Sequence, residues 1–215
     1  MSAEIDRLSG GVVLDAALID SIKGFLDPVE GERLMELAHL SCQHFPALEI
    51  GSYCGKSTVY LGAAVRACGS LLYAVDHHRG SEEHQPGEEY HDPDLFDAAA
   101  QRFDSLPQFR RTLAAAELED HVVPIVTGSA QAARFWNTPL GLVFIDGGHS
   151  MEAALTDYRC WVPHVVKGGY LLIHDVFPNP ADGGRPPFEI YELARKSGLF
   201  EDLGLTQTLG VLRKL

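Results

Sequence analysis

The segment Leu48-Glu49-Ile50-Gly51-Ser52-Tyr53-Cys54-Gly55-Lys56-Ser57 decides how this chain folds. It closes a short apolar run, Ala47-Leu48-Glu49-Ile50, and opens the largely apolar stretch Ser57 to Ala67. A short apolar run reads as a buried strand and the longer stretch as a helix. The glycines between them permit a tight turn and let a ligand approach the main chain. Further along, four more runs of the same kind follow: Leu71 to Val75, Val122 to Val126, Leu142 to Ile145 and Tyr170 to Ile173. Helical patterns lie between strands; Met151, Ala154, Leu155, Tyr158 and Trp161 keep the spacing of one buried helix face. Strands alternating with helices predict an α/β fold. Two helices are expected before the first strand, near residues 11–25 and 29–42, with Asp27-Pro28 starting the second. After the fifth strand come a Pro/Gly-rich loop from Phe177 to Pro187 and a helix near Phe188 to Ser197. Phe200 to Leu215 then fits two strands turning near Gly210.

With 215 residues, 46% of them apolar, the chain can build one sizeable core and is short for two. The expectation is a single domain, 1–215, with N-terminal helices in 1–44 and a cofactor-binding core in 45–215. Acidic residues outnumber basic ones 30 to 17, a formal net charge of −13. That field repels a phosphate backbone, so no nucleic-acid partner is expected. No apolar run approaches the ~18 residues of a membrane span, and the first residues carry no signal-peptide pattern. Cys42, Cys54, Cys68 and Cys160 lie far apart, as reduced thiols of a cytoplasmic protein would. A homodimer is the base-rate expectation. One polar stretch, 77–105, interrupts the rhythm. Loops of that length are usually functional or disordered, and this one is read as an insertion or lid, with part of Asp94 to Phe103 helical. Its irregularly spaced histidines, His77, His78, His84 and His91, read as solvated, while Tyr90 and Phe96 are candidate contacts to an acceptor.

In open α/β sheets ligands bind beyond the carboxyl ends of the strands, so the glycine loop should touch a cofactor. A phosphate-binding P-loop needs four residues between its glycines, and Gly51 and Gly55 enclose three. The dinucleotide fingerprint Gly-x-Gly-x-x-Gly fails at Ser52 and Tyr53. S-adenosylmethionine has no phosphates and needs no anion cradle. Glu49 could face its cationic end, or serve as a structural carboxylate capping the loop. Asp76, ending strand two, is placed to accept the ribose hydroxyls.

At the same rim, strand four ends in Asp146 and strand five in His174-Asp175. Carboxylates brought that close repel each other unless a cation or proton intervenes. A divalent cation held by Asp146, His174 and Asp175 meets that need. The imidazole suits Mn, Fe or Zn better than Mg. His149 follows Asp146 by three residues, and an imidazole is mostly neutral at pH 7, as a general base must be. The alternative for His149 is a helix N-cap or backbone partner.

Glu49, Gly51, Gly55 and Ser57, in the pattern Glu-x-Gly-x-x-x-Gly-x-Ser, resemble motif I of the class I S-adenosylmethionine-dependent methyltransferases. The whole loop is similar to that of catechol O-methyltransferase. Three further motifs follow in family order: Tyr73-Ala74-Val75-Asp76, Gly128-Ser129-Ala130-Gln131 and Phe144-Ile145-Asp146-Gly147-Gly148-His149. Ile145-Asp146-Gly147-Gly148-His149-Ser150 also resembles a bacterial branch with macrocin-type sugar O-methyltransferases. The resemblance implies a three-layer doubly wound Rossmann-like fold with a mostly parallel seven-stranded sheet and an antiparallel last strand. It implies S-adenosyl-L-methionine as cofactor, contacted by Glu49, Ile50, Gly51, Ser52, Tyr53, Gly55, Ser57, Asp76, His77, Gly128, Ser129, Ala130, Gln131, Asp146, Gly147 and His149. It implies magnesium, with manganese as the alternative, at Asp146, His174 and Asp175; His174 stands where the catechol enzyme has a carboxylate, and a supporting or structural role is its alternative. His149 then occupies the place of that enzyme's base, and His149 and Asp146 are the catalytic pair. The implied acceptor is a hydroxyl of a sugar, oligosaccharide or related small molecule, with a catechol or phenol as the alternative. Enzymes acting on amino groups of bases usually carry Asn/Asp-Pro-Pro-Tyr/Phe where this chain has Asp-Gly-Gly-His. A catalytically silent S-adenosylmethionine-binding protein is the reading from another class.

Overall fold

The computed structural model describes residues 14–81, 85, 87–88 and 92–215. The expectations placed on residues 1–13, His84, Tyr90 and His91 lie outside these. Two helices, α1 (Ala16–Ser21) and α2 (Pro28–Ser41), precede strand β1 (Ala47–Ile50). The chain continues through α3 (Lys56–Ala67), β2 (Leu72–Val75), a short hairpin of β3 (Phe96–Asp97) and β4 (Arg102–Phe103), α4 (Leu106–Ala115), β5 (Val122–Ile125) and α5 (Ser129–Ala132). Then come β6 (Leu140–Ile145), α6 (Met151–Trp161), β7 (Val165–Ile173), α7 (Pro186–Lys196), β8 (Phe200–Thr206) and β9 (Leu209–Lys214).

Seven strands form one sheet in the order β5-β2-β1-β6-β7-β9-β8. β1 pairs in parallel with β2 on one side and β6 on the other; Glu49 lies opposite Ala74 and Phe144. β9 runs antiparallel to both of its neighbours, β7 and β8. Every residue of β1 and β6 is buried, as strands covered on both faces must be. Alternate strand residues serve opposite cores. Phe144 joins Leu34 of α2, Leu61 of α3 and Phe109 of α4 on one face. Val143 joins Trp161 of α6 and Ile190 of α7 on the other. Each such side chain contributes roughly 1.5–3 kcal/mol on leaving water. Pro28 opens α2, where its missing N–H costs nothing, and the Asp27 carboxylate accepts from the Val29 N–H. Gly31 lets α2 close on α3; a Cβ there would lie 2.4 Å from the Tyr60 ring.

The differences from expectation are local. β6 and β7 begin earlier than their apolar runs, at Leu140 and Val165. The final turn lies at Gln207-Thr208, where Gln207 takes a left-handed φ of 54°. Gly210 is instead inside β9, against the Tyr191 ring. No α-helix forms in 94–103; a 3₁₀ turn, Pro93–Leu95, leads into the β3–β4 hairpin. α4 follows, with Phe109, Thr112 and Leu113 turned inward. Among the described residues, no helix is long and apolar enough to cross a membrane.

Candidate active site

The glycine loop leaves β1 and passes directly over the end of β6. Gly51 has φ +85°, and a Cβ on it would sit 2.0 Å from the Asp146 carbonyl oxygen. Only glycine fits that contact. Gly55, with φ +94°, opens α3. Main-chain bonds draw the rim together: Gly51 N–H donates to the Val75 carbonyl at 3.0 Å and Asp146 N–H to the Ile50 carbonyl at 2.9 Å. Asp76, at the tip of β2, is oriented by two backbone donors, Tyr53 N–H at 2.8 Å and His78 N–H at 2.6 Å. Tyr53 holds a left-handed φ of 46°, and its ring stacks between Phe25 and Phe103.

Glu49 is fully buried. Its oxygens accept from Ser57 Oγ at 2.5 Å and Thr58 Oγ1 at 2.6 Å. Burial pushes its carboxyl up to about 8, against the pull of those two hydroxyl bonds. In this geometry Glu49 ties β1 to the first turn of α3, the loop-capping alternative of the sequence reading. The Ser52 hydroxyl, in the glycine loop, is buried with no hydrogen-bond partner among the described residues.

Gly128, Ser129, Ala130 and Gln131 form the start of α5 beyond β5. Ser129 Oγ lies 2.5 Å from Asp157 Oδ1 and accepts from Trp161 Nε1–H at 2.9 Å. The pair fastens the loop to α6. Burial pushes the Asp157 carboxyl up to about 6, opposed by the Ser129 bond. Asp157 also packs against Gly147, where a Cβ would meet its Oδ2 at 2.5 Å. Sequence reading missed Asp157; the signal was an acid within the buried stripe of α6.

At the ends of β6 and β7, ligand atoms of Asp146, His174 and Asp175 all lie within 4.8 Å of one another. His174 Nδ1 is 3.0 Å from Asp146 Oδ1 and 3.5 Å from Asp175 Oδ2. His149 Nε2 is 3.1 Å from the same Asp175 oxygen. The cap of α6 is Ser150, whose Oγ accepts from Ala153 N–H, so His149 is not the helix cap. Burial favours a neutral Asp175, yet bonds to His149 and His174 hold it well below the usual carboxylate range. Burial likewise favours a neutral His174, but Asp146, Asp175 and Glu30 together hold it well above the usual imidazole range. Two carboxylates and an imidazole converging this way are a donor set that a divalent cation fits. Glu30, from α2, is the other residue sequence reading did not single out. Its Oε2 is 2.9 Å from His174 Nε2, and nothing in the local sequence links positions 144 residues apart.

The two adjacent histidines after β2 differ. His77 is exposed and its Nδ1 accepts from Arg79 N–H at 3.0 Å. His78 is not the solvated residue the sequence suggested. It is 1% exposed, bonded to Ser105 Oγ at 2.8 Å and packed on the Phe109 ring. Burial lowers its pKa.

This strand order, with a glycine loop over β1 and an acid at the tip of β2, defines the class I methyltransferase fold. Solved structures share it at low sequence identity. The O-methyltransferase NovP has a TM-score of 0.70 and 13% identity, over 99% of this chain and 98% of that one. The Bacillus cereus O-methyltransferase, in complex with S-adenosylhomocysteine (SAH), has a TM-score of 0.66 and 14% identity, over 99% and 97%. TomG from Streptomyces achromogenes, an O-methyltransferase of tomaymycin synthesis solved with S-adenosylmethionine, has 0.60 and 16%, over 99% and 94%. Residues 48–176, more than half of the chain, match the methyltransferase domain family, and the chain belongs to it.

Proposed function

We propose that this protein is an S-adenosylmethionine-dependent O-methyltransferase, assisted by a divalent cation, acting on a hydroxyl of a sugar, oligosaccharide or related small molecule. One observation carries the reading: the glycine loop and the acid–histidine cluster adjoin, in contact where Gly51 meets the Asp146 carbonyl. A methyl donor held by the loop would thus lie beside an acceptor held at the cluster. NovP, TomG and the Bacillus cereus enzyme are O-methyltransferases, which favours oxygen as the acceptor atom. The sugar reading rests on the Ile145 to Ser150 motif and on the polar stretch 77–105, which differs from the catechol enzyme.

In this reading Asp76 accepts the ribose hydroxyls, its two backbone donors keeping the carboxylate aimed. Gly128 to Gln131 flank the adenine. Asp146, His174 and Asp175 would hold the cation, which when bound acidifies and orients an acceptor hydroxyl. His149 serves as base. With Nε2–H directed at Asp175, its neutral tautomer carries the lone pair on Nδ1, the nitrogen that takes the acceptor proton. Asp175 stabilises the imidazolium that results. S-adenosylmethionine, when bound, would supply the methyl group, and the glycine loop and the cluster would align it with the acceptor oxygen. Alignment of this kind can supply up to ~7–11 kcal/mol. Because α2 delivers Glu30 to His174, the N-terminal helices and the core would work as one domain.

Calorimetry on EDTA-treated protein tests the reading, with SAH, then Mn(II), then a panel of sugar and phenolic acceptors. Binding of SAH, followed by cation-dependent binding of a hydroxylated acceptor, is expected. Failure to bind SAH would overturn the methyltransferase assignment; acceptor binding indifferent to Mn(II) would overturn the cation.

A further inference from the structure

The buried carboxylate of Glu30 takes no chemical step in the scheme above, and both of its oxygens are engaged. It is 2% exposed, and three donor bonds converge on it. Oε1 accepts from Thr208 N–H at 2.7 Å and from Thr208 Oγ1 at 2.8 Å. Oε2 faces His174 Nε2 at 2.9 Å. Helix α2, the β8–β9 turn and the end of β7 therefore meet at one side chain.

We propose that Glu30 is a positioning residue that fixes the tautomer of His174, presenting the Nδ1 lone pair to a cation shared with Asp146 and Asp175. The inference rests on the cation reading above. An ionised carboxylate only accepts hydrogen bonds, so the proton opposite Oε2 belongs to His174 Nε2. In the neutral ring the lone pair is then on Nδ1, which points at Asp146 Oδ1 and Asp175 Oδ2. A ring without this constraint can carry its proton on either nitrogen, and in the Nδ1–H form it donates to Asp146 and closes the cluster to cations. Carboxylate–histidine–metal arrangements elsewhere fix ring orientation in this way, and losing the outer carboxylate typically costs 10–100-fold in metal affinity.

The substitution Glu30→Gln makes a sharp test. Both Thr208 donors need an acceptor, so the carboxamide oxygen stays on their side. Its NH₂ group then faces His174 Nε2, which must accept, and the proton moves to Nδ1, aimed into the cation site. Glu30→Ala removes the constraint without imposing the wrong tautomer. The expected order of Mn(II) affinity is wild type, then Glu30→Ala, then Glu30→Gln, the last weaker by at least tenfold. Electron paramagnetic resonance of free Mn(II) reads this directly. Nitrogen-15 spectra of the histidines, with Zn(II) as a diamagnetic probe, should show His174 protonated on Nε2 in wild type and on Nδ1 in Glu30→Gln. A purely structural role predicts the opposite order, because alanine leaves a cavity and glutamine does not. Affinity for SAH, expected within twofold of wild type, reports that the variants are folded. Thr208→Val is the milder second variant and should weaken Mn(II) several-fold. Wild-type Mn(II) affinity in Glu30→Gln or Thr208→Val, or alanine weaker than glutamine, would overturn the proposal. No Mn(II) binding by wild-type protein that still binds SAH would overturn the cation reading, and this proposal with it.

Discussion

His149 and Asp76 illustrate how much a single contact determines. The pairing of His149 Nε2 with Asp175 Oδ2 at 3.1 Å selects the tautomer that leaves Nδ1 basic. His149→Ala is therefore expected to lower kcat by about 10²–10⁴-fold, the usual worth of a positioned general base. Its pH–rate profile should lose the limb set by an imidazole. An unaltered profile, measured by methyl transfer across pH 5 to 9, would remove His149 as base. At Asp76 both carboxylate oxygens already accept backbone N–H groups. Asp76→Asn must turn an NH₂ toward one of those donors, which loses a bond and sets two donors face to face. SAH binding should weaken by about tenfold, the equivalent of one lost hydrogen bond to a charged group, read by calorimetry. Candidate site residues of this kind are legible where a strand tip and a motif coincide, as at Asp76, Asp146 and His174-Asp175. Glu30 and Asp157 were not, because their roles come from packing between elements distant in sequence. His78 was misread for a related reason. A histidine in a polar run looks solvated until the hairpin and α4 fold over it, with Ser105 and Phe109 supplying the pocket.

At the scale of elements, the loop between β1 and α3 is the junction on which the site depends. Gly51 combines a φ of +85° with a backbone carbonyl only 2.0 Å from where a Cβ would lie. Backbone cannot swing aside as a side-chain tip can, so Gly51→Ala must separate β1 from the end of β6. A loss of at least ~1–3 kcal/mol is expected, since left-handed strain alone reaches that range. Because the displaced group belongs to Asp146, Mn(II) affinity should fall along with the melting temperature. A variant that melts as wild type and holds both ligands would show that the two loops are not coupled through this contact. Periodicity revealed the central strands, α3 and α6 because their buried faces are continuous, and Asp27-Pro28 marked the start of α2. It failed where continuity is broken. α4 follows a polar stretch and carries Pro107 in its first turn, so its inward residues, Phe109, Thr112 and Leu113, make too short a stripe. The turn between β8 and β9 uses Gln207 at a left-handed φ, so the nearby glycine, Gly210, misdirected the reading. Gly210 instead serves packing: it leaves room for the Tyr191 ring against β9.

For the molecule as a whole, the buried acids make stability depend on pH in two opposed ways. Asp175 and Glu30 titrate below their ordinary values, in spite of burial, because bonds to His174 and its neighbours favour their charged forms. Their stabilisation is present above the unfolded carboxylate range and is lost as pH falls through their folded values. Glu49 acts in the reverse sense. Burial raises it from 4.5 to about 8, aided slightly by the charges of Asp146 and Asp76. Between those values the unfolded chain releases this proton and the folded chain keeps it. Stability from Glu49 is thus complete below pH 4.5 and is lost as pH rises to about 8. Glu49→Gln keeps the shape and one acceptor oxygen, its NH₂ donating to the other hydroxyl, which turns to accept, and removes the titrating proton from the comparison. The melting temperature of this variant relative to wild type should climb steadily from pH 4.5 to 8 and level off above it, in protein freed of cations by EDTA. The contributions of Asp175 and Glu30 are common to both proteins and cancel in the difference. A difference constant across that range would mean that Glu49 is ionised in the folded state, and that the junction of β1 with α3 is held by an ion rather than by a neutral acid.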